Sequence, residues 1–331
     1  MDTSPTSINK LLLLEKLNPN YVSSTDIPEE YQSLLIPAAG HCYREDAEAD
    51  ILSHHIDFGP FSLWIHDIWA KKNFVLCPSI PEHMWCLHGL YEDSLHFEDP
   101  AAPSYLLEEK EFNLFNLPKG MHRIPIAEGK KVLSFHINID QDVLKDMVEE
   151  FPSLEILANK TPTGPGVINA YPYHNNLVCD FLVEKILSCR YETKRAYPFL
   201  FRACIDLLRN IAAQEALASQ PLMSQSVLNT DKIHRLFNYL QEHPFIKHTL
   251  VQLGYIFKVS GKQLAFEFKQ HFALTIHEFM HMCRMMHIYD VMQKANTPAE
   301  KIAAISEYPN VTNMLVQLKD YYACVRSTTY Q

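Results

Sequence analysis

The residues best suited to specific chemistry fall in two short stretches near the C-terminus. The first carries Ser260, Lys262, Gln263, Phe266 and Lys269. Lysine ammonium groups pair with phosphate or with guanine edges, glutamine matches the donor and acceptor of adenine, and an exposed ring packs on a thymine methyl. The second stretch carries Asn310, Thr312, Asn313 and Lys319, which offer the same contacts on a smaller scale. On an arbitrary helix such residues are only a solvated face. Their meaning depends on the elements that hold them.

Those elements are marked by a recurring helix-start signature. Thr249, Ser260, Thr275 and Thr297 are each followed three residues later by Gln or Glu, at Gln252, Gln263, Glu278 and Glu300. In such a box the hydroxyl and the carboxyl or amide group satisfy the free N–H groups of the first turn. Pro298 also suits a first helical position. Ile233, Leu236, Phe237 and Leu240 recur at helical spacing and predict a further helix, ending before His243-Pro244. Between a helix at Leu250–Phe257 and one at Gly261–Phe272 stand only Lys258, Val259 and Ser260, the arrangement of a helix-turn-helix. In the second helix Leu264, Phe268 and Phe272 face inward. The pattern recurs weakly as Pro298–Ser306, a turn at Glu307–Pro309, and Asn310–Tyr322 with Met314 and Leu318 inward. A joining helix over Ile276–Ala295 would span about 30 Å, close to the roughly 34 Å between successive major-groove openings on one face of B-DNA.

The stretch from Lys232 to Tyr330 resembles the AraC/XylS family of bacterial regulators. The resemblance is carried by LGYIFKVSGKQLAFEFKQHFALT, by FMHMCRMMHIYDVM with Phe279 and Arg284 at the family's aromatic-to-arginine spacing, and by EKIAAISEYPNVTNMLVQLKDYY. It implies two helix-turn-helix units that read duplex DNA in successive major grooves. It implies Ser260, Lys262, Gln263, Phe266, Lys269, Asn310, Thr312, Asn313 and Lys319 as the DNA-facing residues. Where the family usually has glycine in each turn, this chain has Lys258 and Glu307, and after each recognition helix it has Ala273 and Ala323.

The rest of the chain reads differently. From about Asp50 to Asp140, short aromatic and β-branched segments lie between turn signals: Phe61–Trp69, His83–Leu90, Phe112–Leu117 and Val132–Ile139. They predict a β-sandwich or small barrel, similar to the family's β-rich sensor domains in a general way and followed by a helix at Gln141–Phe151. Two further helical patterns run through Leu177–Leu187 and Leu200–Ile211, and the polar stretch Ser219–Thr230 reads as a linker. The net charge of −10 is unevenly spread: residues 1–230 hold 18 Lys and Arg against 31 Asp and Glu, residues 231–331 hold 11 against 8. The C-terminal part is therefore compatible with a polyanionic partner.

Histidines at 54, 55, 66, 83, 88, 96 and 136 invite a metal reading. No His-x-His with a nearby carboxylate exists, so no metal and no cofactor is expected. Trp64, Trp69 and Trp85 suit core packing better than a ligand pocket. The eight cysteines are scattered without a Cys-x-x-Cys pair and read as reduced core residues. With no signal peptide and no spanning segment, the expected compartment is the cytoplasm.

The expected fold is α+β: a β-rich, cupin-like sandwich at 1–165 for sensing or dimerisation, a helical bridge at 166–218, a linker at 219–230 and an all-α double helix-turn-helix domain at 231–331. The expected protein is a transcription regulator and not an enzyme. Its partners would be duplex DNA, a small-molecule effector, RNA polymerase and a second copy meeting through Leu208 and Ile211, and no membrane. Two alternatives are a degenerate AraC-like regulator that works through protein contacts without reading bases, and a cupin-like enzyme with a helical appendage.

Overall fold

The period-two patterns between residues 50 and 140 fold as antiparallel sheet in a computed structural model that describes residues 13–16, 22–24, 26–45, 47–99, 102–219, 230–294 and 297–322. The chain divides into two compact units, Met1–Asn175 and Asn176–Gln331. The first contains strands β1 (Leu13–Lys16), β2 (Val22–Ser24), β3 (Gly40–Glu45), β4 (Ala49–Asp57), β5 (Phe61–Ala70), β6 (Phe74–Ile80), β7 (Met84–Glu92), β8 (Leu95–Asp99), β9 (Ala102–Leu107), β10 (Glu111–Leu117), β11 (Gly120–Met121), β12 (Ile124–Ile126), β13 (Lys131–Ile139), β14 (Gly166–Val167) and β15 (Tyr173–His174). Short helices α1 (Glu29–Gln32), α2 (Gln141–Met147) and α3 (Glu155–Ala158) complete it.

The larger sheet runs β14-β10-β7-β13-β5-β4-β3-β2, with β15 also on β10; the smaller is β1-β6-β11 with β12 on β6, and β8 pairs with β9. Ile51, Ile68, Val132 and Phe115 from the larger sheet share one apolar core with Phe74, Leu76, Ile80 and Ile126 from the smaller strands. All four expected strands are present, and the sheet starts earlier than expected, at β2. The expected helix at Gln141–Phe151 is shorter. It is capped by Asp140, which accepts from Asp142 and Val143, and it stops at Met147, five residues before Pro152 opens a 3-10 turn.

The second unit is all helical: α4 (Leu177–Leu187), α5 (Thr193–Ala218), α6 (Thr230–Glu242), α7 (Leu250–Phe257), α8 (Gly261–Phe272), α9 (Ile276–Lys294), α10 (Ala299–Ile305) and α11 (Val311–Tyr322). The α+β class and its order, sheet first and helices after, are as expected. The bridge is not a separate element, because α4 and α5 lie in the same unit as the C-terminal helices. Residues 220–229 of the expected linker lie outside the described residues. Leu208 and Ile211 are buried inside this unit, so neither is available as the face of a dimer. The reason is composition: α5 buries residues around most of its circumference, from Ala196 to Ala212, as expected for a helix surrounded by others.

Candidate nucleic-acid interface

The first turn, between α7 and α8, is built from the residues the sequence singled out. Thr249 caps α7 in a closed capping box with Gln252. Lys258 takes a left-handed conformation (φ 54°, ψ 48°), and the Val259 N–H donates to the Gly254 carbonyl at 3.0 Å, closing a Schellman-type end. Ser260 then opens α8 by accepting from the Gln263 N–H. Two glycines allow the helices this approach: a Cβ on Gly254 would lie 2.7 Å from the Val259 carbonyl, and one on Gly261 would lie 2.5 Å from that of Leu250. The capping and the short spacing were legible; the close approach was not, because Gly254 sits mid-helix and Gly261 at the first position of α8, where neither marks a turn.

The second turn repeats the first. Glu307 is left-handed (φ 58°), and the Tyr308 N–H donates to the Ala303 carbonyl at 2.9 Å, as Val259 does to Gly254. Asn310 stands where Ser260 stands and accepts from the Asn313 N–H at 2.8 Å. The box expected at Thr297-x-x-Glu300 does not form. Pro298, extended at ψ 139°, is itself the cap residue and makes no side-chain bond, so α10 starts one residue later than expected. The Thr275–Glu278 box is closed at both bonds, 2.9 and 3.2 Å.

On α8, Leu264, Glu267, Phe268 and Phe272 are buried. Lys262, Phe266 and Lys269 share the opposite, exposed face at i, i+4 and i+7, with Gln263 half-buried beside them. Glu267 is the one acid of this helix and is 1% exposed, which leaves the outer face to lysines, Phe266 and amides. On α11, Met314, Leu318, Tyr321 and Tyr322 are buried. Thr312, Val316 and Lys319 occupy the equivalent outer face, with Asn313 exposed next to them and the exposed acids Glu307 and Asp320 close in sequence. Ser260 and Asn310 are exposed, but each spends its side-chain oxygen on a helix cap.

The joining helix α9 spans about 28 Å at 1.5 Å per residue. The family-like pair on it is structural. Phe279 is fully buried and stacks on Phe237 at 4.5 Å, and Arg284 donates to the carbonyls of Pro244 and Phe245, both at 3.2 Å, tying α9 to the loop after α6. The sequence did not reveal what holds the far ends of α8 and α11. Asn210 of α5, completely buried, donates to the carbonyl of Phe272, the last residue of α8, at 2.7 Å. Arg202 of the same helix donates to the Tyr321 carbonyl at 3.0 Å in the last turn of α11 and covers the Tyr321 ring at 4.0 Å. Asp206 balances that arginine at 2.9 Å and also takes the Tyr321 hydroxyl. One helix therefore supplies a polar cap to both α8 and α11 at their C-terminal ends, where free carbonyls accumulate.

The β-rich unit holds a separate feature, a cavity of about 70 Å³. One wall is a strand face at period two: His66 and Ile68 on β5, Cys86 and His88 on β7, Val132, Ser134 and His136 on β13; Leu76, Pro78 and Ile80 of β6, Ile124 of β12 and His122 are among the rest. Register brings the polar ones together, because Ser134 lies opposite His66 and His136 opposite His88. Ser134 Oγ hydrogen-bonds both His88 Nε2, at 3.0 Å, and His136 Nε2, while His136 Nδ1 meets Cys86 Sγ at 3.3 Å. Burial, then Arg44 and the rings of His88, His54 and His55, push His66 down to about 3. Burial pushes His88 down to about 4 and holds His136 well below the usual range. All three rings are thus neutral near pH 7. Among the described residues no group of three or more His, Cys, Asp or Glu could hold a metal ion. The tryptophans do not line the cavity: Trp85 is buried elsewhere in the core and Trp69 is exposed. The seven described cysteines are free thiols.

No protein-family model and no curated protein matches the chain. Among solved structures, that of the AraC-like transcriptional activator CuxR aligns with 82% of this chain and 96% of its own, at 12% identity and a TM-score of 0.33. ToxT from Vibrio cholerae aligns over 85% of this chain and 100% of its own at 8% identity and a TM-score of 0.26. ToxT of strain SCE256 with an unsaturated fatty acid bound aligns over 83% and 99% at 11% identity and 0.29. Likenesses this distant do not by themselves say what the chain binds. No helix among the described residues is long and apolar enough to cross a membrane.

Proposed function

We propose that this chain is a transcription regulator that binds duplex DNA through α8 and α11 and responds to a small molecule held in its β-rich unit. The observation that carries the reading is the repeated helix-turn-helix. Two turns of the same construction each deliver a helix with an outward row of phosphate-pairing, amide and apolar side chains. Lys262, Gln263, Phe266 and Lys269 make the base and phosphate contacts of the first unit; Thr312, Asn313 and Lys319 make those of the second, with Ser260 and Asn310 presenting the helix N-termini to phosphate. The residue resemblance to AraC/XylS regulators points the same way. No catalytic step is assigned, and a homodimer on a two-part operator remains part of the reading. Selection of bound sequences from a random duplex pool, followed by affinity measurement on the winner, tests it. The reading expects one enriched motif, and no enrichment would contradict it.

One observation favours a second reading, regulation through protein contacts. Val251 and Tyr255, one turn apart on α7, are 82% and 88% exposed. Apolar side chains this exposed suit a docking surface for a protein such as RNA polymerase. In that case Val251→Ser with Tyr255→Ser abolishes activation in a reconstituted transcription assay and leaves DNA affinity unchanged.

A further inference from the structure

We propose that the cavity of the β-rich unit takes a compact, uncharged, mostly apolar molecule bearing one hydroxyl group, and that it rejects carboxylates. This rests on the reading of that unit as the effector-binding part and names the class of effector.

Three features of the cavity converge. The first is size. At about 70 Å³ it is several times smaller than the roughly 300–1,000 Å³ of sites for drug-sized ligands. It suits a compact, short-chain or single-ring molecule. The second is charge. Its described walls are Leu, Ile, Val, Phe and Pro with four histidines, a serine and a cysteine, and they include no Lys, Arg, Asp or Glu. Three of the histidines are held neutral by burial. A carboxylate entering it would lose its hydration and find no cation in the wall, which is costly.

The third is an open hydrogen-bonding position. Ser134, His88, His136 and Cys86 bond one another. His66 is different: its Nδ1 is engaged with Ser53 Oγ at 2.9 Å, while its Nε2 is fully buried and has no partner. If Nδ1 carries the proton, Nε2 needs a donor. If Ser53 donates to Nδ1, Nε2 carries the proton and needs an acceptor. A hydroxyl group satisfies either tautomer, whereas a ketone or an ether satisfies only one.

The test is binding to the full-length protein at pH 7 without DNA, read from histidine ring shifts by NMR and from the melting temperature. The probes are 1-butanol and phenol, the carboxylates butyrate and benzoate, and toluene, which has the shape of phenol without the hydroxyl. Phenol or 1-butanol should bind at least tenfold more tightly than butyrate and benzoate, and phenol more tightly than toluene. His66→Leu should erase the preference for phenol over toluene, and His66→Gln, which keeps a donor and an acceptor, should restore it. Should His66→Leu fail to fold, the wild-type ranking and His66→Gln still decide. Carboxylates binding as well as the neutral probes, or no neutral probe binding at all, overturns the proposal. Because DNA is absent, a chain that binds phenol but no duplex keeps the ligand class and loses the regulator, and the converse result does the opposite.

Discussion

At the scale of single residues, the two helices proposed to read DNA, α8 and α11, are unequal although the turns that lead into them match. The outer face of α8 carries Lys262 and Lys269 with its only acid buried, whereas α11 has Lys319 flanked by Asp320 and preceded by Glu307. A lost bidentate contact to a base costs about 1–3 kcal/mol, so Gln263→Ala should weaken operator binding by that order and relax specificity in its half-site. Asn313→Ala should cost much less. Titrations of both variants on one operator check this, and equal losses would refute the asymmetry. Glu307→Gly has two expected effects. A non-glycine residue in the left-handed region costs about 1–2 kcal/mol, so the melting temperature should rise, and removal of a carboxylate near phosphate should tighten DNA binding. The cavity histidines carry a pH prediction of definite sign. Their unfolded-state value is near 6.5 and their folded values are lower, about 4 for His88 and 3 for His66. As pH falls below about 6.5 the unfolded chain takes up protons that the folded chain refuses, and stability falls until the folded groups also protonate. His88→Gln should flatten the stability profile between pH 6.5 and 4, measured by chemical denaturation; an unchanged slope would mean that this ring is not held neutral.

At the scale of elements, α5 matters more than its sequence suggests. Because Asn210 and Arg202 cap α8 and α11, these helices belong to one compact unit, Asn176–Gln331, that includes α4 and α5. Asn210→Ala leaves the Phe272 carbonyl without its donor and removes the acceptor used by Asn176 and Gln214, at 3.0 and 3.1 Å. An unsatisfied buried group costs about 1–3 kcal/mol, so the melting temperature should drop and DNA affinity with it, while a surface control such as Lys194→Ala changes neither. An Asn210→Ala protein as stable as the wild type would show that the cap is dispensable. The difference between what was legible and what was not has a physical pattern. Capping boxes, strand alternation and the helix-turn-helix spacing are local, so Thr249, Ser260, Thr275 and the strands β5, β7, β10 and β13 could be read directly. The Asn210–Phe272 bond, the Gly261–Leu250 approach and the meeting of His66, His88, Ser134 and His136 depend on packing and register between distant segments. The apolar period of α5 shows that it is buried without saying against what, which is why Leu208 and Ile211 looked like an interface between copies and are core.

At the scale of the whole molecule, an overall charge of −10 and a polyanionic partner are compatible only because the acidic excess lies outside residues 231–331. Binding should therefore be strongly salt-dependent, with each neutralised phosphate adding about 0.9 to the slope of log affinity against log salt. Lys262→Ala and Lys269→Ala should each reduce that slope by about one if the residue contacts phosphate, and Lys194→Ala, on α5, should not. The most direct measurement is the affinity of the full-length wild-type protein for a duplex selected from random sequence, compared with a scrambled duplex across a salt series. The account predicts tight, salt-dependent binding to the selected duplex, at least about a thousandfold above the scrambled one at physiological salt. Equal affinity for the two duplexes, or no binding to either at low salt, would contradict it.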